Sequence, residues 1–252
     1  SIQVAFIRYF FGLVIIFPFA VSELKVRNLK IPIVQHGIRG TLHGFGVVLW
    51  FYSISQIPLS EVTAISYLTP IFTTIGAIVL FNERLTKQRS LAILTAIIGA
   101  ILILKPGLEV ISSGKSAQLL STLLLAASYL ITKILTKTEG IFLIVLMLNF
   151  FATITLLPFA LMNWITPSMY DLGLLLAIAI LATFGHYFVT TAVALAPLSV
   201  TQPVIFLQLI WSTLIGLLIF GEPIDFLIII GGGFIVFAIT QIAYSEKKMQ
   251  SK

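Results

Sequence analysis

The chain has 252 residues, of which 59% are hydrophobic and 10% are charged, and its mean hydropathy is +1.11. Fifteen Lys and Arg with nine Asp and Glu cannot form the charged shell that a soluble protein of this size needs, so the composition excludes a soluble globular protein and predicts a membrane protein. The net charge of +6 does not indicate a nucleic-acid-binding domain, because the basic residues lie in short clusters between apolar segments.

Nine apolar segments are long enough to cross the bilayer as helices, which takes about 20 residues each. In chain order they are residues 4–21, 33–54, 62–81, 90–104, 117–135, 141–162, 172–194, 200–220 and 226–244. The sequence therefore predicts an all-α, polytopic membrane helix bundle. The chain has no cysteine, which excludes disulfide bonds and thiolate metal ligands.

The basic residues of the loops predict the orientation of the chain, because short cytoplasmic loops carry an excess of Lys and Arg. One set of alternate loops and the C-terminal tail contain eleven basic residues: Lys25, Arg27, Lys30, Arg84, Lys87, Arg89, Lys133, Lys137, Lys247, Lys248 and Lys252. The opposite set contains two, Lys105 and Lys115. We therefore predict a multi-pass protein of the inner (plasma) membrane, with a cytoplasmic C-terminus and residue 1 outside.

Two halves of the sequence match each other at a constant offset of 139 residues. Residues 58–60 and 197–199 are both Pro-Leu-Ser, and Glu83 matches Glu222. Matched spans are five spans apart, and because five is odd, they cross the membrane in opposite directions. Inverted repeats are a recurring architecture of secondary transporters, whose substrate site lies near the midplane where the halves meet. The predicted domains are a first repeat (1–104), an external linker (105–116), a second repeat (117–245) and a cytoplasmic basic tail (246–252).

The repeated hairpins resemble a known family. Their sequences are IPLSEVTAISYLTPIFTTIGAIVLFNERLT and APLSVTQPVIFLQLIWSTLIGLLIFGEPI, and RYFFG lies in the first span. These residues are similar to EamA-type carriers of the drug/metabolite transporter superfamily, over nearly the whole chain. The resemblance implies a five-plus-five helix design, so the first family helix is expected to precede Ser1, and the first repeat to hold four of five helices. The segments GIRG and AYSEKKMQSK resemble bacterial carriers related to S-adenosylmethionine uptake proteins.

Polar and ionisable side chains inside apolar spans are costly unless they face an interior or aqueous cavity, so they are the candidate site residues. Eight residues are predicted to line a substrate site: Arg39, His43, Tyr67, His186, Tyr187, Gln202, Gln208 and Trp211. Alternatives stay open for several of them, because Arg39 could snorkel to the headgroups, the glutamines could serve helix packing, and Trp211 could mark a membrane interface. A histidine in such a site could also titrate during proton-coupled transport.

Two further features belong to the repeated hairpins. Helical spacing places a set of polar or helix-loosening residues on one face of the third span: Thr63, Tyr67, Pro70 and Thr74. Glu83 and Glu222 end their hairpins at opposite interfaces, and we predict that they act as structural caps or gates rather than as binding groups.

The predicted function is secondary transport of a small metabolite by alternating access. No Asp or Glu lies near the middle of a predicted span, so the substrate is expected to carry a carboxylate, as amino acid-like molecules and zwitterions do, with S-adenosylmethionine among them. The alternative is a non-catalytic membrane scaffold or assembly subunit. An enzyme is disfavoured, since neither paired carboxylates nor a His-Glu-x-x-His motif occupies a span. The expected partners are a small-molecule substrate and the lipid bilayer, with no cofactor and no nucleic acid; a coupling proton and a homodimer stay open.

Overall fold

The structure, a computed structural model, describes residues 2–26, 31–57, 59–83, 87–104 and 112–220, together with positions 230, 232–234, 236–238, 240 and 241. Every regular element in these residues is helical, which confirms the prediction of an all-α membrane bundle. The helices up to residue 220 are α1 (Ile2–Val26), α2 (Ile33–Gln56), α3 (Leu59–Ser66), α4 (Leu68–Phe81), α5 (Lys87–Leu104), α6 (Ser113–Leu135), α7 (Ile141–Leu161), α8 (Met169–Leu195), α9 (Leu198–Val204) and α10 (Leu207–Phe220). Most of the ninth predicted span, Glu222 and the basic tail lie outside the described residues.

Four helices of the described chain are long and apolar enough to cross a membrane, namely α1, α6, α7 and α8. Large apolar side chains cover the outside of the bundle; on α8, for example, Leu181 and Phe188 are exposed. An apolar outer surface is unfavourable in water but suits hydrocarbon, so these helices support a multi-pass membrane protein. The number of spans stays a prediction.

The third and eighth predicted spans are each divided into two helices rather than continuous. The third breaks at Tyr67, between α3 and α4, and the eighth breaks at Ile205 and Phe206, between α9 and α10. Pro70 explains the first break, because proline has no N–H to donate and its ring clashes with the carbonyl four residues earlier, here that of Ser66 at the end of α3. Tyr67 and Phe206 are 139 residues apart, so the two halves break at equivalent positions.

Close helix packing holds the polar face of α2 inside the bundle. The helix packs against both α6 and α7. At Gly40 a side chain would not fit, since an added Cβ would lie 2.3 Å from the Cβ of Phe151 on α7. Small residues let membrane helices approach closely, and this approach buries His36, Arg39 and His43, which lie on the same stretch of α2.

Hydrogen bonds near the helix ends show which ends lie together. At one end, the Leu143 N–H donates to Glu23, and the Leu198 N–H donates to Glu83. At the other end, Gln3 and the backbone of Ile165 exchange hydrogen bonds. The first end joins the segments that charge counting assigns to the cytoplasm, and the second joins segments assigned to the exterior. Which end faces the cytoplasm stays a prediction.

Candidate functional site

A cluster of rings from three helices lies inside the bundle. The Tyr9 hydroxyl of α1 and Nε2 of His43 on α2 are 2.6 Å apart and share a hydrogen bond. The ring of His186 on α8 lies 5.6 Å from that of His43 and 6.1 Å from that of Tyr9, measured between centroids. The structure therefore brings together the two histidines that the sequence predicts, and adds Tyr9 to them.

Arg39 lies one helical turn from His43 and points into the protein. Its side chain is 4% exposed, and Nη1 donates to the carbonyl oxygen of Ile144 at 2.8 Å. Nε is buried and makes no hydrogen bond within the described part of the chain. The hypothesis that Arg39 snorkels to the headgroups is therefore wrong. Gly40 allows α2 to pack closely against α7, and the guanidinium of Arg39 is buried between the helices. The partly buried Arg8 lies over the ring of Tyr9, with Cζ 3.9 Å from the ring centroid.

A small cavity adjoins this cluster. Its volume is about 10 Å³, which is room for about one water molecule. The lining residues are Arg39, His43, Ser128, Tyr129, Thr132, Leu148, His186, Val189 and Thr190. The lining combines one guanidinium, two imidazoles and several hydroxyl groups, and it contains no carboxylate.

A larger cavity of about 260 Å³ lies at the helix breaks. It is lined by Trp50, Thr63, Ser66, Tyr67, Thr69, Pro70, Leu125, Tyr129, Ile205 and Gln208. The rings of Tyr67 and Phe206 stack across the two breaks, with centroids 5.2 Å apart and planes inclined by 17°. Broken helices that meet at an internal cavity are the arrangement by which transporters form substrate sites in the bilayer.

Polar groups of the larger cavity are open to a ligand. The side chains of Trp50, Tyr129 and Gln208 line this cavity and make no hydrogen bond to any described residue. An indole N–H, a phenol and an amide can together donate and accept several hydrogen bonds. The cavity can therefore bind a polar molecule without first breaking a protein hydrogen bond at these three side chains.

The predicted site residues divide between the cavities and other places. Arg39, His43 and His186 line the small cavity, and Tyr67 and Gln208 line the larger one. Three do not line either cavity: Tyr187 stacks on Phe142, Gln202 is buried in α9, and Trp211 is 62% exposed. Thr74, predicted to share a face with Tyr67, lines a separate apolar cavity with Ser90.

Tyr129 lines both cavities and is among the lining residues that the sequence-based prediction does not include, although a signal is present. Polar residues recur along α6 at spacings of three, four and seven, which place them on one side of a helix: Gln118, Ser121, Thr122, Ser128, Tyr129 and Thr132. Except for Tyr129, all of these are buried, so the stripe faces the interior. A search for polar stripes on every span would have included Tyr129.

Glu83 joins the end of the first hairpin to the start of the second. Its Oε1 accepts a hydrogen bond from the Leu198 N–H at 2.9 Å, and its Oε2 accepts from the Ser199 N–H at 3.0 Å and the Ser199 hydroxyl at 2.8 Å. Nearby, Lys133 Nζ donates to the carbonyls of Val193 and Ala196 at 2.6 and 2.7 Å. Glu83 thus caps the start of α9, and a role as a gate stays a prediction.

Comparison with known proteins extends these observations. Residues 1–105 and 112–244 match the EamA-like transporter family. An S-adenosylmethionine uptake transporter of Rickettsia prowazekii is 31% identical over 259 residues, covering 100% of this chain and 85% of the relative. The pseudopaline exporter CntI of Pseudomonas aeruginosa is 24% identical, and the match covers 97% of this chain and 87% of the exporter. A riboflavin transporter of Brucella anthropi is 27% identical, and the match covers 88% of this chain and 80% of that transporter.

A solved crystal structure supports the same fold. It has 15% sequence identity to this chain and superposes with a TM-score of 0.78, covering 96% of this chain and 86% of its own. At this identity the likeness shows the architecture alone.

Proposed function

Because the chain belongs to the EamA-like transporter family, we propose that it is a secondary transporter that carries a small metabolite across the inner membrane by alternating access. The observation that carries the proposal is the cavity at the two equivalent helix breaks, where Tyr67 and Phe206 stack. In an inverted repeat, exchanging the conformations of the two halves would open such a cavity to one side and then to the other. The transporter names of the relatives support a carrier rather than an enzyme.

The substrate is a carboxylate-bearing or zwitterionic metabolite. Neither cavity lining in the described part of the chain contains Asp or Glu, so a bare cation would find no carboxylate partner there. Arg39 offers a buried guanidinium, which recognises a carboxylate well. S-adenosylmethionine fits this chemistry, since it has a carboxylate and its sulfonium can lie over an aromatic ring such as Tyr67 or Trp50.

Protons are the proposed coupling ion. His43 and His186 lie together beside the small cavity, and histidine is the side chain that most readily exchanges a proton near neutral pH. A carboxylate at Arg39 would offset the positive charge of a protonated histidine, so substrate and proton would favour each other's binding. A homodimer stays a prediction.

Glu83 is the proposed gate at the cytoplasmic end. Its three hydrogen bonds to Leu198 and Ser199 join hairpins from opposite halves of the repeat. Opening the cavity toward this end requires the hairpins to separate, and these bonds would then break. The equivalent residue by the offset of 139, Glu222, lies outside the described residues.

The test is uptake into proteoliposomes containing the full-length protein. The panel contains S-adenosylmethionine, riboflavin, amino acids and simple polyamines, each with and without an imposed proton gradient. We expect flux of at least one carboxylate-bearing compound and a change in its rate with the gradient. Flux of polyamines alone would overturn the substrate assignment, and no flux of any compound would favour a scaffold.

A further inference from the structure

We propose that the two cavities are two parts of one substrate site, separated by the side chain of Tyr129. The carboxylate of the substrate binds Arg39 on one side of Tyr129, and the rest of the substrate lies in the larger cavity on the other side. This division rests on the proposed function, since it describes how a transported metabolite is held.

Tyr129 is the residue that both cavities share. It lines the larger cavity together with Trp50 and Tyr67, and it lines the small one together with Arg39 and His43. Its hydroxyl makes no hydrogen bond to any residue that the structure describes. A ring that stands between two spaces, with no hydrogen bond to hold it, forms a wall that a ligand can displace.

Arg39 supplies the reason for an anion in the small cavity. The guanidinium is buried, its Nη1 donates to the Ile144 carbonyl, and its Nε has no hydrogen-bond partner in the described chain. A buried cation without a counter-ion is costly, and the cost is relieved when an anion binds. A carboxylate can receive two parallel N–H bonds from one guanidinium, which makes it the preferred anion for this position.

The sizes of the cavities require the wall to move. The small cavity holds about one water molecule, so a carboxylate enters only when Tyr129 shifts toward the larger cavity. The larger cavity, at about 260 Å³, offers the rings of Trp50 and Tyr67 and the amide of Gln208. These groups suit a planar or cationic body with hydrogen-bonding edges. The substrate class is therefore a carboxylate joined by a short stem to such a body.

Single-cysteine variants can report on the two cavities separately, because the chain has no native cysteine. Thr190→Cys places a thiol at the small cavity, and Thr69→Cys places one at the larger cavity. The probe pair is S-adenosylmethionine and its decarboxylated form, which lacks only the carboxylate. In variants that retain uptake, we expect S-adenosylmethionine to protect both thiols from a small alkylating reagent. The decarboxylated form should protect Thr69→Cys alone.

The role of Tyr129 is tested in the Thr190→Cys background. Tyr129→Ala removes the wall, so the thiol should be alkylated about tenfold faster, which corresponds to about 1.4 kcal/mol in the free energy of access. Tyr129→Phe keeps the ring and should stay within about twofold of the parent, because its loss of a hydroxyl breaks no hydrogen bond to the described residues. Equal rates in both variants would show that Tyr129 does not separate the cavities.

The role of Arg39 is tested by transport kinetics with the same probe pair. Arg39→Gln should raise the KM for S-adenosylmethionine about tenfold, because a charge-assisted hydrogen bond to the carboxylate is lost, and should raise the KM of the decarboxylated form by a clearly smaller factor. Arg39→Lys retains the positive charge, so its KM for S-adenosylmethionine should rise less than that of Arg39→Gln. If the Arg39 variants fail to fold, the cysteine protection pattern decides the question alone.

The outcomes distinguish this inference from the proposed function. Equal protection of both thiols by both probes, with uptake intact, overturns the two-part site and leaves the transporter standing. Transport limited to compounds without a carboxylate, such as riboflavin, also overturns the two-part site alone. No transport of any panel compound overturns the proposed function, and the two-part site fails with it.

Discussion

The two broken hairpins have the same backbone plan but different chemistry. Both begin at Pro-Leu-Ser, and both break at positions 139 residues apart, Tyr67 in the first and Phe206 in the second. The first hairpin contributes Thr63, Ser66, Tyr67, Thr69 and Pro70 to the larger cavity, whereas the second contributes Ile205 and Gln208. Of the two hairpins, the first therefore supplies most of the polar lining, and the second adds the amide of Gln208 and the apolar side chain of Ile205.

This difference separates the two requirements of a carrier. Alternating access requires two halves that can exchange conformations, and a shared backbone plan is sufficient for that. Recognition of one asymmetric metabolite requires a site whose two sides differ. The repeat thus preserves the helix breaks while the side chains at the breaks diverge.

The largest expected effect comes from cutting the link between the hairpins at Glu83. Glu83→Ala removes the cap of α9 and the hydrogen bond with the Ser199 hydroxyl. It should destabilise the protein by about 2.5 kcal/mol, from about 1 for the cap and about 1.5 for a hydrogen bond to a charged group. The measurement is unfolding in detergent.

A matched control exists at the same end of the bundle. Within the described residues, Glu23 accepts one hydrogen bond from another helix, from the Leu143 N–H at 3.0 Å. Glu23→Ala should therefore cost less than Glu83→Ala. Equal losses of stability in the two variants would show that the contact of Glu83 between the hairpins is no stronger than the single hydrogen bond of Glu23.

Phe206→Tyr tests the apolar side of the stack. Phe206 is 2% exposed, so an added hydroxyl would lose its contact with water and should cost about 1 to 3 kcal/mol of stability. Unfolding of the purified variant measures the cost. Unchanged stability would mean that the second hairpin tolerates polar groups as well as the first.

Pro70→Ala tests the break itself. Alanine regains the N–H that can bond to the Ser66 carbonyl, so α3 and α4 can join into one helix. The gained hydrogen bond stabilises the folded state, whereas the loss of the rigid proline ring makes the unfolded chain more flexible. These two effects nearly cancel, so the free energy of unfolding should change by less than about 1 kcal/mol. Flux should nevertheless fall, because the cavity depends on the break. Pro158→Ala, inside the continuous helix α7, is the control and should keep its flux.

Most of the bundle can be predicted from the sequence, because apolar runs and a constant offset are direct properties of the residue order. The breaks are harder. Pro70 marks the first one, but the second break begins two residues after Pro203, a position that proline alone does not specify. There the chain continues through the turn with the Ile205 N–H donating to the Gln202 carbonyl at 3.1 Å.

The sequence predicts those site residues whose burial in a span is energetically costly. It does not predict those whose position depends on how a helix is rotated about its axis. Arg39, His43 and His186 stand out because ionisable groups rarely occur inside spans. Trp211 is central in its predicted span, yet it is 62% exposed, since the rotation of a helix about its axis depends on its neighbours. Tyr129 has an apolar ring that gives no such signal by itself, and only its spacing along α6 places it inside.

The smallest expected effect belongs to the hydroxyl that distinguishes Tyr67 from Phe206. Tyr67→Phe keeps the stacked ring at the break but removes a hydrogen-bonding group from the larger cavity. One neutral hydrogen bond contributes about 1 kcal/mol, so the KM of the transported substrate should rise about fivefold while stability stays unchanged. Uptake kinetics and unfolding of the same preparation measure the two quantities. Loss of stability without a change in KM would instead assign Tyr67 to helix packing, and the polar side of the comparison would then rest on Thr63, Ser66 and Thr69.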